Sequence, residues 1–186
     1  MIPTVEQCYE MMERYGMLEN IKAHSVMVEK VASFLGMELK KAGRDVSLSK
    51  IAAGALLHDI AKTQSLSTRE DHAAKGSEIC VINNFAEISE IVAEHVILKE
   101  FDPRGNITEK EIIYYADKRI NHDKIVSLNE RMEDLFLRYA QGSQRIEGLI
   151  EENFAQCRKV EYKLFAKMSF KPENLAEMIE GISTPH

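Results

Sequence analysis

Residues 55–62 read Ala-Leu-Leu-His-Asp-Ile-Ala-Lys, which places a histidine and an aspartate side by side at the end of an apolar run. The run begins upstream with Leu48 and Ile51, at a spacing that is typical of a buried helix. A histidine nitrogen and a carboxylate are both metal ligands, and a carboxylate has two oxygens with which it can bridge two cations. The helices around His58 and Asp59 are therefore the place to expect further metal ligands.

The rest of the chain predicts an all-α domain, a helical bundle without a sheet. Only four prolines occur, and the long stretches between them are rich in Ala, Leu, Glu and Lys, which favour helix. No stretch alternates apolar and polar residues for long enough to need a strand. The predicted helices cover about 4–15, 18–42, 47–62, 69–83, 86–98, 108–121, 127–140, 143–168 and 173–181.

Local signals define the predicted helix boundaries. They are a glycine stop at Gly43, a cap at Ser47, capping boxes at Thr68–Asp71 and Thr108–Glu111, and a surface loop over 100–106. The helices beyond residue 125, over 126–181, carry no recognisable motif. They are expected to complete the core of one domain covering 1–186, with a homodimer surface as the alternative.

Composition excludes several functional classes. The chain has 186 residues, 45% of them apolar, with 30 acidic and 24 basic residues and a net charge of −6. An acidic balance argues against a general nucleic-acid grip, although it permits a small phosphorylated substrate. Three scattered cysteines, without a C-x-x-C pair, indicate reduced thiols. No signal peptide or membrane-spanning run is present, so we expect a cytoplasmic protein with no membrane partner.

Further candidate ligands lie on helical faces or helix ends on both sides of the pair: His24, His72, His95 and Asp117. Asp117 shares a helical side with Ile113 and Ile120, and a buried aspartate is costly unless it is paired or binds a cation. Taken singly, each has an ordinary alternative: a salt bridge for Asp117, a core hydrogen bond for His24 or His95, and solvent exposure for His72. Together, four of the six histidines and two aspartates occupy helix ends or apolar faces within residues 24–117, which favours a shared metal centre.

The predicted centre has two metal sites that share one carboxylate. The first set is His24, His58, Asp59 and Asp117, and the second is His72 and His95 with Asp59 as the bridge. Nitrogen and carboxylate ligands suit two divalent transition-metal ions, here Fe, Mn, Zn, Co or Ni. A metal-activated hydroxide is the expected nucleophile, which makes Asp59 a catalytic residue. The sequence contains no serine-hydrolase elbow, Walker loop or Gly-rich dinucleotide loop.

Three residues are predicted to contact the substrate or the metal ligands. Lys62 lies one helical turn after the His-Asp pair, where its ammonium would reach a phosphoryl oxygen as a catalytic and binding group; the alternative is a lysine favoured by a helix C-terminus. Gly76 either leaves room for substrate or permits close helix packing. Asn121 is predicted to hydrogen-bond a metal ligand without contacting the metal itself. Lys118 and Arg119 are predicted to point elsewhere on their helix, with one of them at the rim of the site as the alternative.

The ordered pattern H…HD…D, formed by His24, His58-Asp59 and Asp117, resembles the HD-domain superfamily of metal-dependent phosphohydrolases. Residues 55–62 are similar to its HDIG-like subset, with Ala61 replacing the final glycine. The resemblance covers about 18–125. It implies an all-helical bundle that hydrolyses a phosphate ester or anhydride, often of a nucleotide, with ligand roles for the matched residues and a phosphate contact for Lys62.

A narrower resemblance involves the second metal site. His72 with Gly76, Glu94-His95 and residues 112–117 resemble the branch that contains symmetrically cleaving diadenosine tetraphosphate hydrolases. A second pair, His122-Asp123, has no comparable set of partners in the sequence. The alternatives to a phosphohydrolase are an HD-fold di-iron oxygenase, a non-catalytic nucleotide-binding regulatory module, and a purely structural metal site.

Overall fold

The computed structural model describes residues 1–182, and its architecture is the all-α bundle that the sequence predicts. The helices are α1 Val5–Arg14, α2 Glu19–Lys41, α3 Leu48–Leu57, α4 Lys62–Thr68, α5 His72–Ile82, α6 Ala86–Glu94, α7 Glu109–Lys118, α8 Leu128–Leu135, α9 Gln144–Phe165 and α10 Leu175–Ile182. A π-helical turn, Phe136–Ala140, continues α8, and a 3₁₀ turn, Pro172–Asn174, precedes α10. The strands of a small antiparallel hairpin, β1 Ile120–Asn121 and β2 Lys124–Ile125, follow α7.

The helix α3 lies at the centre of the bundle, packed against α1, α2, α6 and α7. Its sequence allows this because Gly54 has no side chain where α6 and α7 approach it. A Cβ atom at Gly54 would lie 2.7 Å from Ile91 Cγ2 and 2.8 Å from Ile113 Cδ1. On α2, the residues Ile21, Val28, Val31 and Leu35 form an inward stripe and are all buried. The His-Asp pair therefore directly follows the end of a helix that other helices surround.

Several predicted boundaries are confirmed. Gly43 follows α2 with φ +75°, a left-handed conformation that glycine adopts without strain. The Ser47 side chain accepts a hydrogen bond from the Lys50 amide and caps α3. Thr108 and Glu111 form both hydrogen bonds of the predicted capping box on α7.

Four predicted helix boundaries are wrong, and three of them involve the site. The third helix does not run to Lys62: it ends at Leu57, and residues 58–61 turn through hydrogen bonds to the carbonyl three residues back before α4 begins. Thr68 does not cap the next helix, because it ends α4 and Asp71 is itself the N-cap of α5. The fifth predicted helix ends at Glu94, not near 98. The sixth ends at Lys118 because the chain turns into the β1–β2 hairpin.

The C-terminal helices pack onto α7 and contribute to the core. Phe154, Cys157 and Leu164 of α9 are fully buried, and Lys163 forms an ion pair of 2.7 Å with Glu111 at the start of α7. One cluster of buried apolar side chains extends from Cys8 to Ile179. We propose that residues 1–186 form a single domain, of which the last four lie outside the described residues. No helix within residues 1–182 has the length and hydropathy that crossing a membrane requires.

Candidate metal centre

Five helices bring the predicted ligands to one place. His24 lies on α2, Asp117 on α7 and His72 at the first position of α5. His58 and His95 occupy the C-cap positions of α3 and α6, and Asp59 follows in the turn after α3.

Main-chain carbonyls fix the orientation of three imidazoles. His58 and His95 each donate from Nδ1 to the carbonyl three residues earlier, both at 2.7 Å. His24 donates from Nδ1 to the carbonyl of His122 at 3.1 Å. Since a carbonyl only accepts, the neutral form of each ring carries its proton on Nδ1 and presents a lone pair on Nε2. Each of the three Nε2 atoms lies within 3.6 Å of a carboxylate oxygen of Asp59, Asp117 or both.

The first group contains the two aspartates. His24 Nε2 lies 3.0 Å from Asp117 Oδ1, and His58 Nε2 lies 3.6 Å from the same oxygen and 3.4 Å from Asp59 Oδ2. With Nδ1 protonated, these are approaches between acceptors, which a proton or a cation must hold together. Metal–nitrogen and metal–oxygen distances of about 2.1 Å imply ligand–ligand edges of about 3.0–3.4 Å, so the spacing suits a metal ion.

The second group uses the other oxygen of Asp59. His72 Nε2 and His95 Nε2 lie 3.3 and 3.4 Å from Asp59 Oδ1, and 3.2 Å from each other. Asp59 therefore turns Oδ2 towards the first group and Oδ1 towards the second, as a bridging carboxylate does.

Two buried atoms of this cluster have no hydrogen-bond partner: His58 Nε2 and Asp59 Oδ1. An unpartnered polar atom in the interior costs free energy, and the cost is larger for a charged carboxylate. A metal ion in each group would satisfy both atoms at once. The residues present therefore fit a pair of divalent cations.

Charge at the centre also favours cations. Burial alone would lower the pKa of His58, but the carboxylates of Asp59 and Asp117 raise it to about 10. Burial alone would raise the pKa of each carboxyl, yet the facing histidines, with Lys62 beside Asp59, hold both pKa values well below their usual range. Burial lowers the pKa of His95, which keeps that ring neutral and able to bind a metal. The centre thus holds two buried negative charges that need positive partners.

Comparison with known proteins agrees with this geometry. The model of the HD domain family matches residues 21–121, more than half of the chain. The chain belongs to the HD domain family. HD domains bind divalent metals and form a superfamily of metal-dependent hydrolases. The HDIG-like subset and the diadenosine tetraphosphate hydrolase branch remain interpretations of the sequence.

Two relatives share part of this HD domain. A tRNA (cytidine(56)-2'-O)-methyltransferase of Picrophilus torridus is 29% identical over 147 residues, which are 71% of this chain and 40% of that protein. An uncharacterized protein of Methanocaldococcus jannaschii is 26% identical over 145 residues, 71% of this chain and 85% of that protein. The chain thus spans well under half of the methyltransferase. The search of solved structures gave no match.

Lys62 lies beside the centre of this HD domain, at the start of a new helix. It begins α4 and does not end the preceding helix, so the helix C-terminus explanation is wrong. Its Nζ is 2.7 Å from Asp59 Oδ2, and a third of its side chain remains exposed. Burial opposes protonation, but Asp59 and Asp117 raise the pKa of Lys62, so the ammonium stays charged.

Two cavities meet at this centre. The larger, of about 390 Å³, is lined by Asp117, His72 and His95 together with a set of apolar side chains, here called the apolar wall. The apolar wall consists of Leu66, Val96, Leu135 and Ile150. The smaller, of about 100 Å³, is bounded by polar groups that include His24, Asp59, His122 and Arg138. Lys62, Arg131 and Tyr139 line both cavities.

The two other residues predicted to bind substrate have indirect positions. A Cβ atom at Gly76 would lie 2.8 Å from Val92 Cγ1 and 3.3 Å from Ile60 Cγ2, which favours close packing of α5; the predicted role of leaving room for substrate stays a prediction. Asn121 Oδ1 accepts hydrogen bonds from Arg131 and Arg138, at 3.3 and 3.2 Å. Through these two hydrogen bonds Asn121 orients both arginines, which line the cavities.

Sequence reasoning missed the cationic residues that α8 and its π-helical turn contribute. Arg131 and Arg138 read as ordinary charges on an amphipathic helix, and no signal in the sequence connects them with the centre. Lys118 was predicted to point elsewhere, but it is buried, lines the larger cavity and donates to the carbonyl of His95 at 3.0 Å. His122 was predicted to lack partners, yet its backbone at φ +57° presents the carbonyl that orients His24.

Proposed function

We propose that this HD domain is a phosphohydrolase that cleaves a phosphate ester or anhydride, with a nucleotide as the substrate class. One observation carries the proposal: the two oxygens of Asp59 face two separate histidine groups, and the buried atoms at their centre lack partners. In this scheme His24, His58, Asp59 and Asp117 would hold the first ion, and His72, His95 and Asp59 would hold the second.

Asp59 and Lys62 have different roles around these ions. Divalent cations held there would lower the pKa of a bound water to about 7, which would supply hydroxide at neutral pH. Asp59 fixes the relative position of the two ligand groups through its two oxygens. The Lys62 ammonium lies next to Asp59 and lines both cavities, where it would meet negative charge on a phosphoryl oxygen.

Local charge supports a phosphorylated substrate. The whole chain carries −6, but Lys62, Arg131 and Arg138 line the two cavities. Such a concentration of cations in an acidic protein favours a small anion over a polynucleotide. The apolar wall of the larger cavity supports an organic group attached to the phosphate, and a volume of about 390 Å³ lies in the range of small-molecule sites.

The same geometry opposes a purely structural metal site. A structural site is enclosed by protein ligands, whereas His72 and Asp117 reach the wall of an open cavity. The di-iron oxygenase alternative uses a similar ligand set, so chemistry must separate the two. The methylation named for the Picrophilus relative is not part of our proposal.

The test combines elemental analysis with a phosphate-release screen under anaerobic conditions. We expect two transition-metal ions per chain and turnover of at least one nucleotide without oxygen. Turnover that requires oxygen would favour the oxygenase. Tight nucleotide binding without any hydrolysis would favour the regulatory module. Lys75→Ala is a suitable charge control for Lys62→Ala, since Lys75 lines neither cavity.

A further inference from the structure

The junction between the two cavities contains a buried donor that the proposed metal chemistry does not use. Arg131 lines both cavities, its side chain is 12% exposed, and its Nε has no hydrogen-bond partner. An unpartnered guanidinium N–H in the interior is costly, and the guanidinium lines both cavities, where an anion would be its natural partner.

The surroundings of Arg131 hold its guanidinium rigidly. Its Nη1 donates to Asn121 Oδ1 at 3.3 Å and to Asp134 Oδ2 at 3.0 Å. Arg138 shares both acceptors, through Nη2 to Asn121 at 3.2 Å and Nε to Asp134 at 2.9 Å. Two arginines braced by one amide and one carboxylate lose little freedom when an anion binds, and a guanidinium suits phosphoryl oxygens.

The two cavities would bind different parts of a substrate, and both arginines line the smaller one. The apolar wall lines the larger cavity, Arg138 and Asp59 line the smaller one, and Lys62 lines both. A phosphoryl group beside Lys62 would leave the smaller cavity free for a second anionic group. A compound with one phosphoryl group beside Lys62 would place no anion between Arg131 and Arg138 in the smaller cavity.

We infer that Arg131, braced with Arg138 by Asn121 and Asp134, is a substrate-binding residue that selects compounds carrying a second phosphoryl group next to the reacting one. The substrate class is thereby narrowed to organic diphosphates, with the organic group against the apolar wall of the larger cavity. This inference rests on the proposed phosphohydrolase function for the reacting phosphoryl group, while the subsite itself is a binding property.

The test measures binding without turnover. Metal-loaded protein is titrated calorimetrically with adenosine α,β-methylene diphosphate and with a phosphonate analogue of adenosine monophosphate. We expect the diphosphate analogue to bind at least about 10-fold more tightly, in the range of a charged hydrogen bond. Arg131→Gln should abolish that preference, Arg131→Lys should restore part of it, and Arg145→Gln, an exposed residue outside both cavities, should leave it unchanged.

Equal affinity of the unmutated protein for the two analogues, or no binding of the diphosphate analogue, would overturn the inference. So would a preference that survives in a folded Arg131→Gln protein, with folding checked by circular dichroism. The proposed function fails separately: a protein that prefers the diphosphate analogue but hydrolyses no phosphate compound keeps the subsite and loses the hydrolase. A protein that hydrolyses monophosphates and diphosphates with equal kcat/KM, and binds both analogues equally, keeps the hydrolase and loses the subsite.

Discussion

Replacing Gly76 with alanine tests whether α5 is packed against the metal centre or borders open space for substrate. The new Cβ would lie 2.8 Å from Val92 Cγ1 and 3.3 Å from Ile60 Cγ2. Both neighbours are fully buried, and valine is stiff about its first side-chain torsion, so neither can move away cheaply. Overpacking of this kind costs about 1–3 kcal/mol.

Replacing glycine with alanine inside any helix also stabilises that helix by about 0.8–1.0 kcal/mol. This gain must be subtracted before the cost of overpacking can be measured. Gly148 in α9 is the matched control, because a Cβ atom there would meet nothing within 4 Å. The difference in unfolding free energy between Gly76→Ala and Gly148→Ala should therefore be about 1–3 kcal/mol. For a chain of this size it lowers the melting temperature by about 2–12 °C.

The assay is thermal unfolding of both metal-free variants followed by circular dichroism, with metal content measured after reconstitution. Because α5 begins with His72, displacement of α5 should also weaken the second metal site, and the Gly76 variant should lose part of one ion per chain. Equal melting temperatures of the two variants, together with a raised KM in Gly76→Ala, would refute the packing argument. That result would assign Gly76 to the substrate.

Three further outcomes are expected. Lys62→Ala should keep its metal but lose turnover by about 10²-fold, as measured by phosphate release; undiminished turnover would remove Lys62 from the mechanism. His72→Ala should retain one ion per chain by elemental analysis, and a full pair would contradict the two-group scheme. Burial raises the pKa of Cys8, Cys80 and Cys157 to about 12, so these thiols should not react with a disulfide reagent at pH 8 until denaturant is added; rapid modification of the native protein would contradict their burial.

The predicted ligands could be found from sequence because each one lies on a periodic apolar face or beside one. Asp117 follows Ile113 by one helical turn, so its inward direction is a local property of α7. Arg131 and Arg138 were missed for the opposite reason. Their approach to the centre depends on how α8 packs near the hairpin and on a π-helical turn, and such turns follow no simple local pattern. The periodicity of a sequence does not predict where long cationic side chains from distant helices will lie relative to a site.

The wrongly predicted helix ends are themselves part of the centre. Apolar periodicity predicts that α3 and α6 continue beyond His58 and His95, but both helices end just before these residues. The last carbonyls of a helix have no intrahelical amide partner, and one of them at each end accepts the Nδ1–H of the histidine. A helix that continued would supply an amide to the same carbonyl and compete with the imidazole. Ending the helix therefore both exposes the acceptor and orients the ligand, and periodicity cannot register this because the apolar residues continue through the turn.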